Sequence, residues 1–252
     1  MALPAALTPF VHAPLRSAFI SDFDGTIAPI VDDPARAAPL PQAVDALRAL
    51  VRRLGLVAVV SGRPVAFLRE RLPIDGVQLV GQYGLEVLVG DDVRLDPDAA
   101  QYVDAVAAAA RDAEDRWPAL LIERKGSIAF TVHWRTAPGS EPAPDDLAAL
   151  AAGHGLVMQS GRMACEFRTP LPVDKGTALQ NLDLNENAAF AGDDDGDLAA
   201  FRAVTTPRLV RIAVRSPESP PALLEEADLV VEGPPGMARL LTDLADALSQ
   251  QP

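Results

Sequence analysis

Asp22 and Asp24 stand two residues apart, after the apolar stretch 18–20 and Ser21 and before Gly25. A strand over Ala18–Asp22 would deliver Asp22 at its carboxyl end, where open α/β sheets bind their ligands. Two such carboxylates could divide labour, one ionised as a nucleophile and one donating a proton. The plainer alternative is a strand exit whose aspartates cap backbone groups. Ser61-Gly62-Arg63 ends a second apolar run, placing a hydroxyl and a glycine backbone at another strand end, unless Ser61 only caps a helix. Asp174-Lys175-Gly176-Thr177 opens a helix and puts an ammonium where the helix dipole disfavours it; an anion docked between them would explain the choice. Asp193, Asp194, Asp195 and Asp197 crowd just past another strand. Packed carboxylates repel unless a cation joins them, and hard oxygen ligands here suit Mg²⁺. A calcium loop fails, because Ala191 stands where an acidic ligand is required. Each block alone is ambiguous, but the set is specific.

Positioning these groups takes alternating elements. Apolar Val44, Leu47, Leu50, Val51 and Leu54 recur at helical spacing within Gln42–Leu54. Leu56–Val60 is continuously apolar, as a strand buried on both faces should be. Pro64–Leu72 suits a helix with proline in its first position. After Pro170 the pattern returns: a helix near Lys175, strand Ala188–Ala191, helix Asp197–Val204, strand Arg208–Val214 and a final helix Leu240–Leu248. Between lies something different: one long helix over Asp98–Trp117, two strands within Ala119–Arg135, a helix from Asp145 to Gly153, and a hairpin Leu156–Arg168 turning at Ser160-Gly161. We therefore expect an α/β fold, a doubly wound parallel-sheet core over residues 1–97 and 170–252, with an inserted α+β cap over 98–169.

The chain has 252 residues, of which 22 are basic and 35 acidic, for a net charge of −13. Such a field opposes binding to nucleic acid or an anionic membrane. The one cysteine, Cys165, excludes an internal disulfide. No apolar run is long enough to span a bilayer, and the N-terminal residues lack a secretory pattern. We expect a soluble, cytoplasmic protein, taken as a monomer.

With these residues in place, the sequence resembles the haloacid-dehalogenase phosphatases. Asp22-Phe-Asp-Gly-Thr26 matches the first motif of that superfamily, Ser61 the second, Lys175 the third and Gly192-Asp-Asp194 the fourth. The resemblance implies Asp22 as a nucleophile forming an aspartyl-phosphate and Asp24 as the acid, then base. It implies phosphate binding by Ser61, Gly62 and Lys175, and Mg²⁺ held by Asp22, Asp24 and Asp193, with Asp194 and Asp197 as further candidates. Within the superfamily the wider sequence is similar to trehalose-6-phosphate phosphatases, through Gly81-Gln-Tyr-Gly-Leu-Glu86, Glu123-Arg-Lys125, His133-Trp-Arg135 and Glu166-Phe-Arg168. Tyr83 stands where that family often has His, Trp134 where it has Tyr, and Asp195-Gly196-Asp197 replaces x-Thr-Asp.

By the same resemblance the sugar would be held by Glu123, Lys125, Arg135 and Glu166, with His133 and Arg63 as further candidates. Strand alternation is consistent with this. Glu123, Lys125, Ser127, Thr131, His133 and Arg135 would share one face, together with Arg162, Glu166 and Arg168. The implied activity is Mg²⁺-dependent hydrolysis of trehalose 6-phosphate, the cap closing to exclude water. The alternatives are a capped phosphatase for sucrose phosphate or mannosyl-3-phosphoglycerate, and a non-catalytic sugar-phosphate sensor or regulatory subunit. Intact Asp22, Asp24, Lys175 and Asp193 weigh against the last, since binding alone needs no nucleophile.

Overall fold

A computed structural model describes residues 3–161, 163–184, 186–203 and 209–250. Arg162, Val204 and Arg208, placed above on a strand face, a helix and a strand, lie outside those residues. The chain divides into two compact units, Met1–Arg94 with Val173–Pro252, and Leu95–Pro172.

The first unit carries an eight-stranded, mainly parallel sheet. Its strands are β1 (Ser17–Ser21), β2 (Leu56–Val60), β3 (Gln78–Gly81), β4 (Glu86–Val89) and β5 (Asp92–Leu95). The three remaining strands of the sheet, numbered after the four that belong to the second unit, are β10 (Asn187–Gly192), β11 (Leu209–Arg215) and β12 (Leu229–Glu232), in the order β12-β11-β10-β1-β2-β3-β4-β5. Only the β3–β4 pair among those with a described register is antiparallel. Both faces are buried, which is why the interior of β1 and all of β2 are apolar. Phe19, Val57, Val59, Ala189, Ala191 and Ile212 pack with the helices Pro41–Val51 and Gly233–Ser249. Ala18, Ile20, Ala58, Val60, Phe190 and Ala213 face the opposite way, toward the helices Lys175–Gln180, Asp195–Ala203 and Pro221–Glu226.

The second unit is a four-stranded antiparallel sheet of β6 (Leu121–Lys125), β7 (Ala129–His133), β8 (Val157–Gly161) and β9 (Ala164–Arg168), ordered β6-β7-β9-β8. Phe130, Val132, Cys165 and Phe167 pack on one face against Val106, Ala109 and Ala113 of the helix Val103–Arg116 and Leu147 and Leu150 of the helix Pro144–Gly153. Trp134 is buried in the same cluster, and Cys165 is a free, buried thiol.

Several expectations require correction. The long helix is interrupted at residues 101–102, where Pro97–Ala100 ends and Val103–Arg116 begins, so one apolar stripe spans two helical pieces. Pro64 is the N-cap of the helix Val65–Arg71, with extended backbone, rather than its first residue. The hairpin turns after Gly161, not at Ser160-Gly161: Ser160 pairs with Cys165 and Gly161 with Ala164. The final helix begins at Gly233, because prolines suit its first turn although they break the apolar periodicity there. Arg135 lies past the end of β7, so strand alternation does not govern its direction.

Phe130 and Phe167 are stacked at 4.8 Å, fully buried, on adjacent strands of the second unit. Phe167→Ala should destabilise that unit by about 3–5 kcal/mol. Urea unfolding followed by tryptophan fluorescence checks this, since Trp117 and Trp134 both pack there; a loss below about 1 kcal/mol would show that the stack is dispensable.

Candidate active site

The site begins at the carboxyl ends of two neighbouring central strands. Ser21 of β1 pairs with Ala191 of β10, and the Asp22 N–H donates to the Ala191 carbonyl at 2.9 Å. Asp22 and Asp193 therefore leave the sheet side by side. Gly25 lets the chain turn sharply with φ +78°, and a Cβ there would fall 2.0 Å from Asp193 Oδ2. Thr26 holds the other Asp193 oxygen, donating from Oγ1 at 3.1 Å.

Lys175 is brought to the same point by its helix. Asp174 caps that helix, accepting from Thr177 N at 2.8 Å, while Thr177 Oγ1 bonds back to Asp174. The Lys175 ammonium, buried, lies 2.8 Å from Asp22 Oδ1 and 2.7 Å from Asp197 Oδ1, with Asp194 at 3.8 Å. The unfavourable place of a lysine at a helix start is thus compensated by carboxylates of the protein itself.

Asp197 is fully buried, and its oxygens are engaged: Oδ1 with Lys175, Oδ2 with the N–H groups of Asp193 and Asp194 at 2.9 and 3.1 Å. Its carboxylate lies where a Cβ on Gly192 would come within 2.2 Å of Asp197 Cγ. Asp22, Asp193 and Asp197 each bring an oxygen within 4.8 Å of the others. A hard-oxygen donor set of this kind fits Mg²⁺. The hydrogen bonds of Asp197 make it the residue that orients the loop 193–194, leaving Asp22 and Asp193 as the better-placed donors. Asp194 is exposed.

Burial pushes the Asp22 carboxyl up to about 7, against the pull of Lys175. Asp193 is raised to about 7 by burial and then by Asp197 and Asp194, and Asp197 to about 8, chiefly by burial. Burial alone would lower Lys175, but the attraction of Asp197 and Asp22 outweighs it and holds the ammonium firmly protonated. One lysine does not balance three buried carboxylates. A divalent cation would.

Asp24 has a different neighbour from the one the spacing implied. It is half-buried and accepts a two-pronged ion pair from Arg63, at 2.8 Å from Nε and 2.9 Å from Nη2. Arg63 in turn lies over the Phe67 ring, 4.6 Å from its centroid. Ser61 is buried and its Oγ accepts from Arg63 N at 3.2 Å, a tight local turn that also places Gly62.

In the second unit, register brings Glu123, Thr131, Glu166 and Gln159 into one row across the sheet. Glu123 bonds His133 at 2.9 Å, and Lys125 pairs with Glu166. Thr131, missed as a site residue, is buried in that row, and its hydroxyl has no hydrogen-bond partner among the described residues. Thr26 and Glu86 have places here that the sequence does not assign, although both fall within segments of the resemblance, Thr26 in the first motif and Glu86 at the end of Gly81–Glu86.

The trehalose-phosphatase family model matches residues 20–222. The chain belongs to the trehalose-phosphatase family. It is 32% identical over 248 residues to the trehalose-phosphate phosphatase of Mycobacterium marinum, which covers 93% of this chain and 63% of that protein. The chain thus spans less than two thirds of the length of that relative. The solved structure of a trehalose-6-phosphate phosphatase related protein is similar, with a TM-score of 0.76 and 21% identity over 93% of this chain and 99% of that one. A haloacid dehalogenase-like hydrolase from Bacteroides thetaiotaomicron matches with a TM-score of 0.62 and 13% identity, over 90% of this chain and 98% of that one. The fold is that of the haloacid dehalogenase-like hydrolases. Among the described residues no helix is long and apolar enough to cross a membrane.

The buried carboxylates lead to a sign that can be tested. A carboxyl whose folded pKa is raised stabilises the fold below its unfolded value, and that stability is lost as pH rises through the folded value. For Asp22, Asp193 and Asp197 the loss runs from about pH 4 to the values near 7 and 8. With chelator present, the melting temperature should fall by several degrees between about pH 5.5 and about pH 8.5, and Mg²⁺ should restore most of it at the upper pH. A chelated protein that melts at the same or higher temperature at the upper pH would contradict the assignment.

Proposed function

We propose that the chain hydrolyses trehalose 6-phosphate to trehalose and phosphate through an aspartyl-phosphate on Asp22. The observation that carries this is the buried Asp22 carboxylate set 2.8 Å from Lys175 and beside Asp193, in a chain of the trehalose-phosphatase family. Asp22 attacks phosphorus as the bond to the sugar oxygen breaks, and Asp24 gives its proton to that oxygen. Water then attacks the aspartyl-phosphate, losing a proton to Asp24, and phosphate leaves with Asp22 regenerated. Arg63 holds Asp24 as a carboxylate in the resting protein, so Asp24 takes up the proton it delivers from solvent once substrate binding breaks that pair. Ser61, the Gly62 backbone and Lys175 bind phosphoryl oxygens, so that positioning and charge do most of the work.

Mg²⁺, held by Asp22, Asp193 and the Asp24 backbone, with Asp194 nearby, would offset the repulsion between a carboxylate and a phosphate dianion. The glucose hydroxyls fall to Glu123, Lys125, His133, Arg135 and Glu166. Alternating donors and acceptors on one sheet face, with the unsatisfied hydroxyl of Thr131 among them, support that role. The substrate is a small sugar phosphate, and neither nucleic acid nor membrane enters the scheme.

Phosphate release from trehalose 6-phosphate, sucrose 6-phosphate, mannosyl-3-phosphoglycerate and glucose 6-phosphate tests the reading. We expect a strong preference for the first, abolished by chelator. Asp22→Asn should lower turnover by at least about a thousandfold while ligand binding persists. Glu166→Ala, which breaks the pair with Lys125, should raise KM for the sugar phosphate by about tenfold. Preference for another substrate would keep the chemistry and overturn the sugar assignments; no release from any would favour a binding role.

A further inference from the structure

The segment Gly81–Glu86 takes no part in the proposed reaction, yet its backbone is strained. Gln82 and Tyr83 both adopt left-handed angles, φ 51° and 59°, and Gly84 follows at 106°. Side chains at such positions persist only where the surroundings over-determine them, and they cluster at functional sites. Here the surroundings are the residues 61–65. Ser61 N donates to the Val80 carbonyl at 3.0 Å, Tyr83 N to the Ser61 carbonyl at 3.1 Å, and Gln82 N to the Arg63 carbonyl at 3.0 Å.

Side chains and close approaches extend the zipper. Glu86 is buried and its Oε2 accepts the Val65 N–H at 2.7 Å. That N–H begins the helix Val65–Arg71, whose N-cap, Pro64, has no side-chain acceptor to offer. A Cβ on Gly81 would lie 2.6 Å from the Arg63 carbonyl oxygen, and one on Gly62 would lie 2.6 Å from the Tyr83 ring. On its other side the strap meets the Lys175 helix, where a Cβ on Gly84 would come within 3.2 Å of the Ala178 Cβ.

We propose that Gly81–Glu86 is a positioning strap for the phosphate-binding loop, with Glu86 as its anchor. By fixing Val65 N, and with it the backbone from Ser61 to Arg63, Glu86 sets both the Ser61 hydroxyl and the guanidinium that holds Asp24. The proposal rests on the reading of Ser61 as a phosphate ligand. Glu86 acts through its neighbours and touches no reacting atom.

A double-mutant cycle separates positioning from general stabilisation. Glu86→Leu removes the acceptor at similar volume, and Glu86→Gln keeps an acceptor. Both are measured in the full chain with Mg²⁺, alone and with Ser61→Ala. The readouts are kcat/KM for phosphate release from trehalose 6-phosphate and calorimetric affinity for inorganic phosphate. We expect Glu86→Leu to lower both by about tenfold or more, with Glu86→Gln recovering most of the loss. With Ser61→Ala present, the same substitution should cost less than about threefold. If Glu86→Leu does not fold, the cycle runs on Glu86→Asp, whose shorter side chain draws the acceptor back from Val65 N, with the same collapse of its effect expected. Equal losses in both backgrounds, or unaltered values with Ser61 intact, would overturn the proposal. Phosphate affinity reads the cycle without turnover, so a wild type inactive on every sugar phosphate would count against the phosphatase reading alone.

Discussion

A buried ammonium between two buried carboxylates organises the first unit. Lys175 reaches Asp22 on one side and Asp197 on the other, at ordinary ion-pair distances. Removing one member of such a cluster strands charge in the interior, at a cost of about 3–5 kcal/mol. The three residues come from a strand end and the beginnings of two helices, so the cluster links elements far apart in the chain. Asp197 carries the constraint further by accepting both N–H groups of the loop that presents Asp193.

The arrangement also explains a charge pattern that looks wasteful in isolation. A chain with net charge −13 adds four aspartates within residues 193–197, where repulsion should be costly. The structure separates their tasks. Asp193 is packed against Gly25 and held by Thr26, Asp197 is spent on hydrogen bonds, and Asp194 is exposed. The excess negative charge that remains buried is concentrated where a divalent cation and a phosphoryl group would change it together.

Much of this could be read from the residues. β1, β2 and β10 were legible because strands buried on both faces are continuously apolar, and their polar ends stand out against that background. The covered face of the second unit followed from alternation along β7 and β9. The short strands β3, β4, β5 and β12 were not legible: each has four residues, too few for periodicity to register. Spacing placed Asp24 beside Asp22, but only tertiary structure could give it Arg63, 39 residues away, as a partner. The role of Glu86 is not legible within its motif, because a carboxylate that serves the backbone of a distant loop leaves no local signature. The break at residues 101–102 was hidden for a related reason, since the apolar stripe continues across it.

The central claim is that Asp22 is the nucleophile. Acid-quenching the enzyme during turnover of trehalose 6-phosphate, followed by peptide mass spectrometry, tests it most directly. The account predicts a phosphoryl group on the peptide that carries Asp22, labile to base and absent from Asp22→Asn. Turnover with no phosphorylated Asp22 at any quench time, or with Asp22→Asn fully active, would contradict it.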